Sequence, residues 1–395
     1  MICVKSLQLD LNRVLLLAVG LWPYEQSIFV RLQLILFYGI LITSFVAQLA
    51  TFLTSKCTLQ FVMEILSAVS FFICFMIKYI TFCFNTDIVK RFLEIMQHTY
   101  NELTDENEIA IIEKYGTIAK HCNYIITLLC MSAIFNFIFL PFWPRVLNVV
   151  WLANESHSLP LLQIKTEYFC NQEKYFYLIL LHTNAVFCIG EVVLLATGAI
   201  IIAYLYHACG MFKVASYRME QAVKINTMKI NDMMNENSTY KMIVHAIDMH
   251  RNAIKSAKIF ISDLNVCLFF LIAFGTISTS LNLYRIFHEL TTECDFEKLI
   301  TPILFLLTLY VYMIFSNYCG QIVIDHNEEM FATVYSIQWY STPLRIQKII
   351  LFLLQKGTKT FYMNVGGLFV GSLKGLSTLV STSVSYFMIM YSTMT

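Results

Sequence analysis

Seven apolar runs, each long enough to match the thickness of a bilayer, divide the chain into blocks separated by polar stretches. They cover residues 29–53, 59–84, 122–143, 175–206, 259–286, 300–324 and 362–392. About 20 consecutive apolar residues form a helix that crosses the hydrocarbon layer, so the pattern predicts seven transmembrane helices and an all-α, polytopic membrane protein. The fourth, fifth and seventh runs exceed that layer, which predicts tilt or extension into water. Pro141 and Pro144 close the third run, and Pro302 falls in the first turn of the sixth, where a missing N–H does no harm. Ahead of the runs, residues 14–21 resemble the core of a signal peptide in length. They end in Trp22-Pro23-Tyr24 rather than in small residues, and the segment is read as an uncleaved interfacial helix leading into the first span.

The polar stretches between the runs give an orientation. With the N-terminus inside, cytoplasmic segments hold 18 Lys and Arg and outer segments hold six; Arg31, Lys78 and Lys374 lie within runs. The long 207–258 loop supplies eight of the 18, and without it ten still stand against six. The positive-inside rule therefore places the N-terminus in the cytoplasm and the C-terminus outside. In that topology the glycosylation sequon at Asn154 is outside and the one at Asn237 is inside and silent. The 207–258 loop is helical in pattern apart from the polar run 231–238, so the fourth and fifth spans are expected to continue as helices joined there. Together with residues 325–356 they would form an intracellular bundle where subunits meet.

Composition agrees with lipid as the solvent: 58% of residues are hydrophobic and 13% charged, against roughly 25% charged in a soluble domain. A net charge of +1 points to no nucleic acid. Twelve cysteines without a CxxC pair suggest neither a zinc site nor a disulfide scaffold. No phosphate loop, nucleophile elbow or metalloprotease motif is present, and an enzyme, a cofactor or a metal is not expected.

Charged groups within spans are functional candidates by default. Lys78, near the cytoplasmic end of its run, reads as a snorkelling side chain. Glu191, mid-span beside Gly190, is open to two readings, a buried hydrogen-bond partner or the lining of a pocket. Lys374, beside Gly375 and Ser377, points to a protein-facing or water-facing side. The last run is rich in small and hydroxylated residues, and two readings stay open: close helix packing, or a wet face towards a pore that closes at Met388-Ile389-Met390. Aromatic residues crowd the outer halves of the second to sixth runs. Phe71, Phe72, Phe75, Phe135, Phe139, Phe187, Phe274 and Tyr310 are mostly packing or lipid-facing residues, with a few available to line an apolar ligand pocket.

The C-terminal third carries specific wording. Tyr318-Cys319-Gly320-Gln321, Asp325-His326, Glu328-Glu329, Tyr335-Ser336, Trp339-Tyr340 and Pro343-Leu344-Arg345, with the ending Ser381-Thr382-Ser383-Val384-Ser385-Tyr386-Phe387, resemble insect odorant receptors. Leu21-Trp22-Pro23, residues 207–212 and residues 250–254 are weaker markers of the same family, and the wording is most similar to receptors of ants and their relatives. The resemblance implies the odour-tuned subunit of a heterotetrameric, non-selective cation channel in the plasma membrane of olfactory neuron dendrites. The shared odorant co-receptor would be the partner, and a small volatile or hydrocarbon-like molecule the ligand. The chain lacks the co-receptor's longer second cytoplasmic loop. Carried over by position, the pore and gate fall on Ser385, Ile389 and Thr393, with Thr393 departing from the co-receptor's apolar residue. Subunit contact falls on residues 325–361, including Asp325, Tyr335, Trp339 and Tyr340. The competing readings are a homomeric gustatory-type channel and a G-protein-coupled receptor, the latter disfavoured by the charge count.

Overall fold

The computed structural model describes residues 7–25, 27–142, 164–228, 233–292, 296–359 and 361–394. In chain order the helices are α1 (Asp10–Ala18), α2 (Ile28–Thr54), α3 (Leu59–Phe84), α4 (Asp87–Glu102), α5 (Glu106–Phe139), α6 (Phe176–Met228), α7 (Met233–Thr292) and α8 (Phe296–Ser336). They are followed by α9 (Leu344–Gly357), a two-stranded hairpin of β1 (Asn364–Val365) and β2 (Phe369–Val370), and α10 (Leu373–Met394). The hairpin is antiparallel, with Asn364 opposite Val370.

Local chemistry sets the helix ends. Ser27, Thr58 and Asp105 each cap a helix by accepting from a backbone N–H of the first turn, at Val30, Phe61 and Asn107. Helix α1 stops at a left-handed Gly20 (φ 73°). There Leu21 N–H donates to Leu16 O at 2.8 Å and Gly20 N–H to Leu17 O at 3.1 Å, the paired bonds of a Schellman C-cap. The Leu21-Trp22 pair that follows is buried against the bundle.

Helices α6, α7 and α8 have 53, 60 and 41 residues. At 1.5 Å per residue they are roughly 80, 90 and 60 Å long, against a hydrocarbon layer of about 30 Å. They project together at the Lys- and Arg-rich end of the bundle. Met219, Val223, Ala246, Met249, Met330 and Val334 form a core there, closed by Ile346 and Ile350 of α9. Arg218 donates two hydrogen bonds to Glu108 of α5, at 2.6 and 2.7 Å. Lys213 pairs with Glu329 at 2.6 Å, and the Lys213 hydrogen bond holds the Glu329 carboxyl below its ordinary range.

Several expectations are corrected. The helix expected from Tyr362 begins at Leu373, because Gly366 and Gly367 take left-handed φ of 62° and 73° and turn the chain into the hairpin. Ser372 then caps α10, its hydroxyl accepting from Gly375 N–H at 3.1 Å. Lys374 stands exposed in the first turn of α10. The polar run 231–238 is largely helical, since α7 starts at Met233. Pro302 lies inside α8, which begins earlier, at Phe296. Among the described residues six helices, α2, α3, α5, α6, α7 and α8, are long and apolar enough to cross a membrane. Helix α10 has 22 residues; hydroxyls from Ser377 to Thr393 lower its hydropathy.

Candidate functional site

Helix α10 has two unlike faces. Gly375, Leu379, Ser383, Phe387 and Met390 recur at helical spacing and turn inward. Phe387 and Met390 pack on Met63, Leu281 and Tyr284, and the Ser280 hydroxyl donates to Ser383 O at 2.9 Å. The opposite stripe, Thr378, Ser381, Ser385, Ile389 and Thr393, is exposed, Ile389 to 57%. Small-residue packing and a polar face therefore coexist on one helix, on opposite sides. The Thr378, Thr382, Ser385 and Thr393 hydroxyls each donate to the carbonyl four residues back, which satisfies them without water.

The start of α10 is gripped by α8. Asn317 Oδ1 accepts from Ser372 N–H and Gln321 Oε1 from Leu373 N–H, both at 3.3 Å. Gln321 also donates to Asp325 at 2.7 Å. Between Asn317 and Gln321, Gly320 lies so close to the linker that a Cβ would collide with the Gly371 carbonyl. The sequence signal for this clamp was present in Cys319-Gly320-Gln321, but its mechanical meaning needed the structure.

A cavity of about 260 Å³ is walled by α5, α6, α7 and α8 and reaches the hairpin and α10 at Gly375 and Leu379. Gly198 and Gly275 line it, and a Cβ at either would meet open space. Glu191 lines it too while 2% exposed. Its Oε2 accepts from the Cys130 thiol at 3.1 Å, so both readings of this residue hold together.

None of the aromatic candidates lines this cavity. Phe72, Phe75 and Phe187 belong instead to a packed cluster with Phe71, Phe137 and Phe305. Within it Phe71 stacks on Phe305 at 4.2 Å and Phe137 on Phe187 at 3.9 Å. Gly190 lets Phe75 approach, since a Cβ there would overlap the ring. Phe135 and Phe139 are 60% and 49% exposed on the outer surface of α5. Phe274 packs beside Cys74, Cys267 and Leu271, and Tyr310 is half-buried on α8. Lys78 does not snorkel: it is fully buried, its ammonium over the rings of Phe82 and Tyr312 at 5.7 and 5.1 Å. Aromatic faces meet that charge in place of water.

At the charged end, Asp325, Tyr335 and Tyr340 are exposed and Trp339 is half-buried. Leu344, Leu351 and Phe352 are exposed nearby. Asn154 lies outside the described residues, and Asn237 is exposed in the first turns of α7. Among the described residues no group of His, Cys, Asp or Glu is arranged to hold a metal.

The family model for the seven-transmembrane odorant receptors matches residues 58–384. The chain belongs to that family. It is thus a multi-pass membrane receptor of the insect odorant-receptor type, a family of non-enzymatic channels. The matched stretch ends before Ile389 and Thr393. No curated protein matches the receptor. Among solved structures it is similar to the insect olfactory receptor OR5 from Machilis hrabei in complex with eugenol, at 12% identity over 98% of both chains and a TM-score of 0.77. A second structure of the Machilis hrabei receptor gives 12% identity over 97% of both chains and a TM-score of 0.75. At that identity the likeness establishes the fold.

Proposed function

We propose that this receptor is an odour-tuned subunit of a heterotetrameric, odorant-gated, non-selective cation channel. It assembles with the shared co-receptor in the plasma membrane of olfactory neuron dendrites. The observation that carries the reading is the exposed stripe of α10, where hydroxyls at Thr378, Ser381 and Ser385 lead to Ile389 and Thr393. In a monomer such a face is unpartnered; around a four-fold axis it lines a water-filled path with an apolar constriction. Exposed Tyr335, Tyr340, Leu344 and Phe352 at the charged end supply a contact surface for neighbouring subunits. That end is cytoplasmic, with the N-terminus inside and the C-terminus outside.

The ligand binds in the cavity walled by α5, α6, α7 and α8. Because its wall includes Gly375 and Leu379, an occupant touches α10 itself. Opening requires tighter binding to the open arrangement than to the closed one. Eugenol in the Machilis hrabei receptor is consistent with a small, largely apolar ligand.

Whole-cell current is the test, in cells expressing the receptor alone and with an insect co-receptor, against volatiles and cuticular hydrocarbons. Odour-evoked cation current only in the co-expressing cells, persisting without G-protein signalling, is expected. Current from the receptor alone would overturn the heteromeric assignment in favour of a homomeric channel.

A further inference from the structure

A carboxyl at mid-membrane depth is expensive, and Glu191 is held there with half of its hydrogen-bonding capacity unused. Its Oε2 is met by the Cys130 thiol, a weak donor. Its Oε1 is buried and has no partner at hydrogen-bonding geometry, although the Thr308 hydroxyl stands beside the carboxyl. Four other polar side chains lining the cavity are engaged within their own helices. Ser132, Asn136, Ser316 and Asn317 each donate to a backbone carbonyl of their own helix. Glu191 Oε1 is therefore a buried acceptor without a hydrogen-bond partner in a largely apolar space.

The cavity also has a mouth. Leu129 and Asn136 of α5 and Leu307 of α8 line it and are exposed, so it opens sideways between those two helices, towards lipid. A molecule entering there arrives from the membrane, alkyl portion already desolvated, and needs one polar group to match one buried oxygen.

We infer that Glu191 is a specificity-determining residue of the ligand cavity, selecting aliphatic alcohols over the matched hydrocarbons and esters. This rests on the proposal that the cavity is the ligand site. A hydroxyl fits for a reason of chemistry: it donates to a carboxylate oxygen and it also accepts from a carboxylic acid O–H, so it satisfies Glu191 in either protonation state. An ester only accepts, so it leaves the ionised carboxylate oxygen unpaired, and an alkane leaves Oε1 unpaired in either state.

The test is photolabelling of the purified full-length receptor in lipid nanodiscs with an aliphatic alcohol carrying a diazirine, mapped by peptide mass spectrometry. Labelling is expected on peptides of α5, α6 and α8 that border the cavity. 1-Octanol should compete about tenfold better than octyl acetate, the ratio corresponding to one hydrogen bond of about 1.4 kcal/mol. Glu191→Leu should bring that ratio close to one, and Gly198→Leu, which fills the cavity, should abolish the labelling. Equal competition in the unmutated receptor, or a preference that survives Glu191→Leu, would overturn the assignment. If Glu191→Leu does not fold, difference infrared spectra of the unmutated receptor decide: 1-octanol should shift a carboxyl stretching band and octyl acetate should not, and identical spectra refute the contact. Because this readout is binding and not current, its failure leaves the channel assignment to be judged by the electrophysiology alone.

Discussion

The clamp between α8 and the start of α10 gives a sharp prediction at Gly320. A methyl group there would stand 2.8 Å from the Gly371 carbonyl carbon, with the carbonyl oxygen nearer still. Carbon atoms are comfortable at about 3.5–4.0 Å, so helix and linker must separate by roughly 0.7 Å. Overpacking of this kind costs about 1–3 kcal/mol. Backbone cannot rotate aside as a side chain can, which puts Gly320→Ala at about 2 kcal/mol, or roughly 25-fold in the folded-to-unfolded ratio. The separation also stretches the bonds from Asn317 and Gln321 to the first N–H groups of α10. Thermal denaturation of the purified receptor, with surface abundance in cells, is the assay. Gly39→Ala is the control, since nothing lies within 4 Å of a Cβ at that helical position, and Ala there gains up to about 1 kcal/mol of helix propensity. A Gly320→Ala receptor that melts with or above Gly39→Ala would refute the clamp.

Further outcomes follow from other sites. Ile389→Ser should raise resting current or alter ion selectivity in co-receptor-expressing cells; normal surface expression with neither change would remove Ile389 from the gate. Glu108→Gln should cost about 3 kcal/mol by stranding Arg218, the low end for a broken buried pair because Arg218 keeps 20% of its side chain exposed. The exchanged pair Glu108→Arg with Arg218→Glu should recover part of that loss in the same melt. His250 lies in α7 before the span at 259–286, between the rings of Phe212 and Phe331 and 3.0 Å from Asn327 Oδ1. Burial pushes its pKa below the ordinary 6.5 and the Asn327 contact offsets part of the shift. A depressed native pKa means the unfolded chain binds the proton first. The contribution of His250 is therefore complete above about pH 6.5 and is lost as pH falls towards the native pKa. Melting temperature should drop between pH 7.5 and 5.5, and His250→Gln should flatten that dependence.

What the chain displays openly is its partition between lipid and water. Blocks such as 29–53 and 175–206 announce helices because nothing else satisfies a backbone in hydrocarbon, and α6 and α7 continue past the span as their pattern implied. Reading failed where one residue type serves two geometries. Gly366 and Gly367 look like Gly371 and Gly375 in a small-residue run, yet the first two are turn glycines. Gly371 and Gly375 mark close backbone approach, Gly371 to Gly320 and Gly375 to the Val370 carbonyl. Lys78 misled because a long side chain near a helix end normally reaches water; Tyr312, distant in sequence, supplies the surface that keeps it in. The aromatic candidates show the same limit. Identity separates a ring from a charge, but only rotation about the helix axis separates Phe75, in the stack, from Phe135, which faces outward.

Helix α7 contains no proline, and neither does α6. Sharp kinks are almost always at proline, at glycine or serine pairs, or where the hydrogen-bond ladder is interrupted. Without proline to bend it, each is suited to act as a lever, one part within the apolar span and the other in the polar extension beyond it. On a rod of about 90 Å, a tilt of roughly 5° displaces one end relative to the other by about 8 Å. On the proposed assembly, a small tilt around a ligand would thereby be enlarged at the distant subunit contacts.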